Sequence, residues 1–83
     1  MHLKKTWYLY MVRCKNNALY TGIALDVDAR VNKHNSGKGA KAVKMLGLPV
    51  ELVYSEKVGT HSEALKRECA VKKLKKKDKE NLL

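Results

Sequence analysis

A hairpin pattern at residues 6–23, TWYLYMVRCKNNALYTGI, constrains the fold of this chain more than any other feature. Residues 6–14 are rich in aromatic and β-branched side chains, which is typical of a β-strand. The KNNA sequence that follows has turn chemistry, because asparagine tolerates a positive φ angle and hydrogen-bonds its own backbone. Residues 19–23 then form a second, short strand. The pattern therefore predicts a β-hairpin.

The register of this hairpin decides whether Tyr10 and Tyr20 share a face of the sheet. A four-residue loop, which pairs Cys14 with Leu19, places the two tyrosines on opposite faces. A loop of three or five residues, or a bulge, places them on the same face. The sequence leaves these alternatives open.

Hydrophobic spacing after the hairpin predicts a helix that begins at the N-cap Asp26 and ends at the NSG sequence. Val27 and Val31 recur at helical spacing and are expected to face the core. Arg30 and His34 lie on the same stripe of this helix. Two ionisable side chains are therefore expected beside its buried face.

The rest of the chain predicts two more helices and one strand. KGAKAVKML reads as a short basic helix closed by Gly47 and Pro49, and residues 50–58 as a strand. Thr60 and Glu63 form a capping box that starts the next helix. The residues of that helix expected to face inward are Ala64, Leu65, Glu68, Cys69 and Val71.

The predicted order is therefore β-β-α-α-β-α, with a short final helix as an option, in a single domain over residues 1–83 whose core spans about residues 6–82. The expected fold class is α+β, with a small three-stranded, mainly antiparallel sheet flanked by helices. Cys14 and Cys69 have neither a Cys-x-x-Cys nor a zinc-ligand spacing, so both are expected to be buried, reduced thiols.

The charge balance indicates a polyanionic partner. Lysine and arginine total 18 against 8 aspartates and glutamates, a formal net charge of +10. Such an excess favours nucleic acid or ribosome contact, because each neutralised phosphate releases counterions, although lysine also keeps small proteins soluble. The sequence shows no apolar run long enough to cross a bilayer and no secretory signal. A cytoplasmic location without a membrane partner is therefore expected.

Glu68 is the carboxylate whose position packing alone does not explain. It lies three residues after Leu65 and three before Val71, near the predicted buried face of its helix. A buried carboxylate is costly unless it is paired or holds a metal. The alternative is an exposed ion pair with Lys72, four residues later. The two interpretations have equal support.

Several other side chains suit phosphate chemistry. Arg30 offers a planar cation matched to a phosphate, and His34 can exchange a proton near neutral pH. A tyrosine such as Tyr10 or Tyr20 can act as a base only where a cation favours its phenolate. The SGKGAKAVK loop combines glycines with lysines, as in a segment that follows a nucleic-acid backbone.

These pieces together resemble the GIY-YIG nuclease domain over nearly the whole chain. YLY at residues 8–10 and YTG at residues 20–22 look like its two tyrosine motifs, at the interval usual for the family. The segments DVDARVNKHNSGKGAK and ALKRECAVKKLKKKDKENLL are similar to the small stand-alone GIY-YIG proteins of bacteria. The first motif departs from the family pattern at Tyr8 and Leu9, and the second at Thr21.

The resemblance implies a role for five residues. Tyr10 matches the tyrosine that deprotonates water, and Tyr20 the one that helps to position water and the scissile phosphate. Arg30 matches the arginine that stabilises charge in the transition state, and His34 a histidine near the catalytic tyrosine. Glu68 matches the glutamate that holds one divalent metal, normally Mg²⁺ or another such as Mn²⁺.

One further position follows from the same resemblance, and a set of binding residues follows from the basic character of the chain. Asn81 lies near the place of a downstream asparagine of the family. The expected nucleic-acid-binding residues are Lys38, Lys41, Lys44 and Lys72.

The function that follows is metal-dependent hydrolysis of phosphodiester bonds, with DNA as the favoured substrate. The alternative is a non-catalytic nucleic-acid-binding or repair-associated module that keeps the fold. Larger members of the family add a separate DNA-binding domain, and none is expected here. Its own lysines, or a partner protein, would have to provide the targeting.

Overall fold

The computed structural model describes residues 5–83 and contains three strands and four helices within them. In chain order these are β1 (Trp7–Arg13), β2 (Leu19–Ala24), α1 (Val27–Asn35), α2 (Lys41–Leu46), β3 (Glu51–Gly59), α3 (His61–Lys72) and α4 (Lys76–Glu80). The predicted α+β class and element order are confirmed, and the optional last helix is present as α4.

The sheet has the strand order β2-β1-β3, and both strand pairs are antiparallel. β1 is the central strand and is buried from Leu9 to Val12, because its neighbours and the helices cover both of its faces. β2 pairs with β1 alone, so its other edge stays open.

The hairpin register places Tyr10 and Tyr20 on the same face of the sheet. Arg13 pairs with Leu19, which leaves residues 14–18 in the turn, the five-residue alternative. Tyr10 then lies opposite Gly22, and Tyr20 lies opposite Val12. Because side chains alternate along a strand, Tyr10, Val12 and Tyr20 project together. Asn17 supplies the positive φ angle that the turn requires, 72°.

The sheet separates two hydrophobic clusters. On one face Tyr10 and Val12 pack with Val43 of α2 and with Val27 and Val31 of α1. On the other face Leu9 and Met11 pack with Val71 of α3 and with Leu82 near the end of the chain. The alternation of β1 therefore distributes its side chains between the α1–α2 layer and the α3–α4 layer.

α1 begins and ends as the sequence predicts. The Asp26 side chain accepts a hydrogen bond from the Ala29 N–H, so Asp26 is the N-cap. The helix ends at Asn35, and Gly37 adopts a positive φ of 80° just beyond it. The Asn35 side chain donates to the Val50 carbonyl and accepts from the Val50 N–H, at 3.1 and 2.7 Å. These contacts secure the end of α1 against the start of β3.

α3 buries a narrower stripe than the sequence suggests. Ala64 and Val71 are fully buried, but Leu65 is 44% exposed and Cys69 is also exposed. The prediction that Leu65 and Cys69 face inward is wrong, because only positions along one line of the helix reach the flat sheet. Cys14 is buried as expected, and both thiols are free.

α4 is attached to the central strand by an ion pair. The Arg13 guanidinium donates two hydrogen bonds to the Glu80 carboxylate, at 2.8 and 2.6 Å. Together with the packing of Leu82, this pair holds the last described segment against the sheet. Within residues 5–83, none of the helices combines the length and apolar character needed to cross a membrane.

The capping box at the start of α3 yields a stability prediction. The Thr60 hydroxyl accepts from the Glu63 N–H, and the Glu63 carboxylate accepts from the Thr60 N–H. Thr60→Ala should lower the free energy of unfolding by about 1 kcal/mol, measured by urea denaturation. Ser62→Ala, in the same first turn, should not lower it. Equal losses for the two variants would contradict a capping role for Thr60.

Candidate active site at the edge of the sheet

The phenol of Tyr10 is the centre of the candidate site. It projects from β1 over Gly22 of the edge strand β2, and the whole residue is only 1% exposed. A Cβ atom at position 22 would lie 2.6 Å from the Tyr10 hydroxyl oxygen. Gly22 is therefore required for steric reasons, since any side chain would displace this hydroxyl.

His34 of α1 forms a hydrogen bond with the Tyr10 hydroxyl. Its Nε2 lies 2.8 Å from the Tyr10 oxygen in a buried hydrogen bond, and His34 itself is 1% exposed. Its Nδ1 accepts a hydrogen bond from the Ala40 N–H at 3.3 Å. Because a backbone N–H can only donate, the imidazole proton lies on Nε2, which donates to the Tyr10 oxygen.

Tyr20 and Arg30 complete this side of the site. The ring of Tyr20 meets the His34 ring edge-on, with 5.6 Å between centroids. Arg30 lies one turn before His34 on α1 and close to Tyr10. Its guanidinium lowers the pKa of Tyr10, and its charge also contributes to the lowered pKa of His34. The two tyrosines, the arginine and the histidine therefore lie around one point.

Glu68 approaches the same point from α3. Its side chain is 20% exposed and lies 3.6 Å from the Lys72 ammonium group. Its negative charge contributes to the raised pKa of Tyr10, although burial is the largest cause. Both interpretations of Glu68 hold in part: the carboxylate is mostly buried, and it has Lys72 as an ion-pair partner.

The balance of these effects keeps Tyr10 protonated. Burial is the largest effect and raises the pKa of Tyr10, and Tyr20 and Glu68 act in the same direction. Arg30 opposes them but does not reverse the shift. Because burial is the largest of these effects, Tyr10 needs additional positive charge nearby before it can serve as a base.

The side chains around Tyr10 suit only a metal ion that takes few ligands from the protein. Among residues 5–83, no three histidine, cysteine, aspartate or glutamate side chains cluster closely enough to enclose an ion. Among the described residues, Glu68 is the carboxylate whose charge affects the pKa of Tyr10. Mg²⁺ takes hard oxygen ligands and often keeps several waters, so one carboxylate is compatible with it. A zinc site, which needs several nitrogen or sulfur ligands, does not fit these residues.

The remaining predicted residues lie outside this centre. Lys38, Lys41 and Lys44 are exposed on the loop after α1 and on α2, and Lys72 is exposed beside Glu68. Asn81 caps α4 through its backbone N–H, and its side chain is exposed. None of the side-chain hydrogen bonds in the described part of the chain joins Asn81 to the tyrosines.

Two glycines have structural roles that the sequence analysis did not assign. Gly22 makes room for the Tyr10 hydroxyl, and Gly39 packs directly against His34, where a Cβ atom would collide with Nδ1. The SGKGAKAVK pattern by itself predicts only a segment that follows a nucleic-acid backbone. The available signal was its position immediately after a helix whose last turn carries His34, because a loop that folds back over a ring often needs glycine at the contact.

Burial of His34 generates a pH prediction. Burial and the nearby Arg30 charge lower the pKa of His34 below 6.5, so the unfolded chain binds a proton more readily than the folded protein. The free energy of unfolding should therefore fall as pH decreases from 6.5 towards the lower folded pKa, by at most about 1.4 kcal/mol per pH unit. His34→Gln should flatten this slope in urea titrations. An unchanged slope would contradict a neutral, buried His34.

Comparison with known proteins agrees with this geometry. Residues 6–81 match the model of the GIY-YIG catalytic domain. A UPF0213 protein of Staphylococcus saprophyticus is 49% identical over 76 residues, which cover 92% of each chain. The UPF0213 protein YhbQ of Escherichia coli is 49% identical over 77 residues, covering 93% of this chain and 76% of YhbQ.

Solved structures show the same fold. The solution structure of a protein from E. faecalis superposes with a TM-score of 0.64 at 40% identity, covering 99% of this chain and 86% of that one. The solution structure of a UPF0213 protein from Bacillus halodurans gives a TM-score of 0.58 at 41% identity, covering 93% and 81%. The chain therefore belongs to the GIY-YIG family, a nuclease-type family, and its relatives include small bacterial UPF0213 proteins.

Proposed function

We propose that this protein is a metal-dependent nuclease that hydrolyses phosphodiester bonds, with DNA as its substrate. The observation that supports this most directly is the set of groups around one phenol. His34 hydrogen-bonds the Tyr10 oxygen, while Tyr20, Arg30 and Glu68 all shift the pKa of Tyr10. These residues come from β1, β2, α1 and α3. A protein that only binds nucleic acid has no need to assemble them.

Arg30 and Glu68 would carry the electrostatic part of the reaction. The planar guanidinium of Arg30 can pair with the non-bridging oxygens of a phosphate and stabilise the charge that develops on them. Glu68 would hold the metal, Mg²⁺ or Mn²⁺. When bound, such an ion stabilises negative charge on the phosphate and on the leaving oxygen.

Tyr10 would act as the base, with His34 as its positioning residue. The His34 N–H donates to the Tyr10 oxygen, so the tyrosine's own proton is free to leave in another direction. The same N–H continues to donate when the oxygen is a phenolate and stabilises that form. Neutralisation of the Glu68 carboxylate would remove one of the effects that raise the pKa of Tyr10.

Tyr20 would position the water and the phosphate. Tyr10 is 1% exposed, whereas Tyr20 is only partly buried. Substrate must therefore approach the Tyr10 hydroxyl from the open side of β2, past Tyr20 and Arg30. The exposed lysines Lys38, Lys41, Lys44 and Lys72 would supply sequence-indifferent attraction to the backbone. A protein partner could add targeting to a particular DNA structure.

Cleavage assays test the proposed roles of Arg30 and Glu68. The purified protein, with Mg²⁺ or Mn²⁺, should cut at least one of labelled single-stranded DNA, duplex DNA, branched DNA or RNA. Arg30→Ala and Glu68→Gln should each lower kcat by about 100-fold or more, the usual cost of removing one electrostatic stabiliser. Glu51→Gln removes an exposed carboxylate from the start of β3 and should leave kcat unchanged.

The alternative, a non-catalytic nucleic-acid-binding or repair-associated module, makes a different prediction for the same proteins. Wild type, Arg30→Ala and Glu68→Gln would then bind nucleic acid equally, and none would cut any substrate with either metal. That outcome would contradict the nuclease proposal and support a non-catalytic binding function.

Gly22→Ala gives a separate test of the geometry around Tyr10. The new methyl group would displace the end of the Tyr10 ring, because its Cβ would lie 2.6 Å from the hydroxyl oxygen. We expect kcat to fall about as far as in Tyr10→Phe, with KM for the nucleic acid little changed. Circular dichroism should show a retained fold. Full activity in Gly22→Ala would contradict a role for the precise position of this hydroxyl.

A further inference from the structure

A groove beside Arg30 is not used by the proposed mechanism. It has a volume of about 390 Å³ and lies where the start of β1 and the end of β2 meet α1. Its apolar lining includes Trp7, Ile23 and Leu25, and its basic lining is Arg30 and Lys33 of α1. Since Arg30 belongs to both, the groove is continuous with the candidate active site.

The apolar side of the groove is formed by Trp7 and Leu25 and is partly exposed to solvent. The Trp7 ring contacts His61 in a tilted arrangement, with 4.5 Å between ring centroids. Leu25 is 39% exposed although it is a large apolar side chain. Trp7 and Leu25 thus present apolar surface to solvent beside two cations. This combination suits a ligand that has both a flat apolar part and a negative charge.

Charge distinguishes this groove from its neighbour. A second groove of about 360 Å³ on the other side of Leu25 is lined by Tyr8, Ser55 and the carboxylates of Asp26 and Asp28, without a basic residue. The groove beside Arg30 has two basic side chains and one carboxylate, Asp26, which is already engaged in capping α1. A polyanion is therefore attracted to the first groove and repelled by the second.

We propose that this groove binds an unpaired nucleobase next to the phosphate that Arg30 contacts. The base would pack on Trp7 and Leu25, while Lys33, one helical turn after Arg30, would contact the adjoining phosphate. Aromatic side chains combined with a basic wall are how proteins bind single-stranded nucleic acid without reading its sequence. This inference rests on the proposed function, because it takes Arg30 as the phosphate-binding residue.

The test uses the single tryptophan of the sequence as a reporter. Binding is measured by tryptophan fluorescence in the presence of a chelator, so that metal-dependent cleavage does not interfere. The probes are an oligothymidylate of about ten nucleotides, an oligomer of equal length without bases, and a blunt duplex. The oligothymidylate should quench the fluorescence of Trp7. The abasic oligomer and the duplex should not, although both carry the same backbone charge density or more.

Leu25→Ser and Leu65→Ser form a matched pair, because both leucines are exposed to a similar extent, 39% and 44%. Leu25→Ser should weaken oligothymidylate binding about fivefold, as expected for partial loss of one apolar contact, and should not affect the abasic oligomer. Leu65→Ser, on α3 and outside the groove, should bind like wild type. Trp7→Leu should reduce binding further, measured by anisotropy of a labelled probe.

Two results would overturn the inference: equal quenching by the abasic oligomer, or equal affinities for Leu25→Ser and Leu65→Ser. Both are independent of the nuclease proposal, which is decided by cleavage. A protein that shows base-dependent quenching but cuts nothing would keep the groove and lose the nuclease function. A protein that cuts DNA, but whose tryptophan fluorescence is quenched equally by the abasic oligomer, would keep the nuclease function and lose the base-binding groove.

Discussion

The buried hydrogen bond between the Tyr10 hydroxyl and His34 Nε2 is the contact on which the site depends. It joins the central strand to α1 across the α1–α2 face of the sheet and sets the direction of the phenol. Two glycines make it possible: Gly22 leaves space in front of the hydroxyl, and Gly39 leaves space behind the imidazole. The Ala40 N–H then selects the histidine tautomer. A short loop after α1 thus determines the hydrogen bonding of a residue on β1.

The order of the strands explains how two helices on opposite faces can serve one site. α1 packs on the face that carries Tyr10, whereas α3 packs on the other face through Val71. Their side chains can meet only around an edge of the sheet, and β2 is an edge strand with no further partner. Arg30 and Glu68 both influence the same phenol for this reason. The groove lined by Trp7 and Arg30 lies at the end of the same strand.

The electrostatics of the site differ from those of the molecule as a whole. The chain has a net charge of +10, and most of its lysines are exposed, which favours any polyanion. Around Tyr10, however, burial, with smaller effects from Tyr20 and Glu68, opposes the phenolate more strongly than Arg30 favours it. Attraction of nucleic acid is thus distributed over the surface, whereas proton chemistry depends on a few partly buried groups.

The sequence by itself determined the local structure: the hairpin, the Asp26 cap, the capping box of α3 and the order of the elements. It also indicated, through the two tyrosine motifs, which side chains to examine. These are short-range patterns, so a few neighbouring residues are enough to specify them. Tertiary structure decided the rest. The five-residue length of the hairpin loop put Tyr10 and Tyr20 on one face of the sheet. Only a narrow stripe of α3 contacts the sheet, so Leu65 and Cys69 are exposed. The approach of Glu68 to a phenol from a strand far earlier in the chain depends on packing around the edge of β2, which no local pattern encodes.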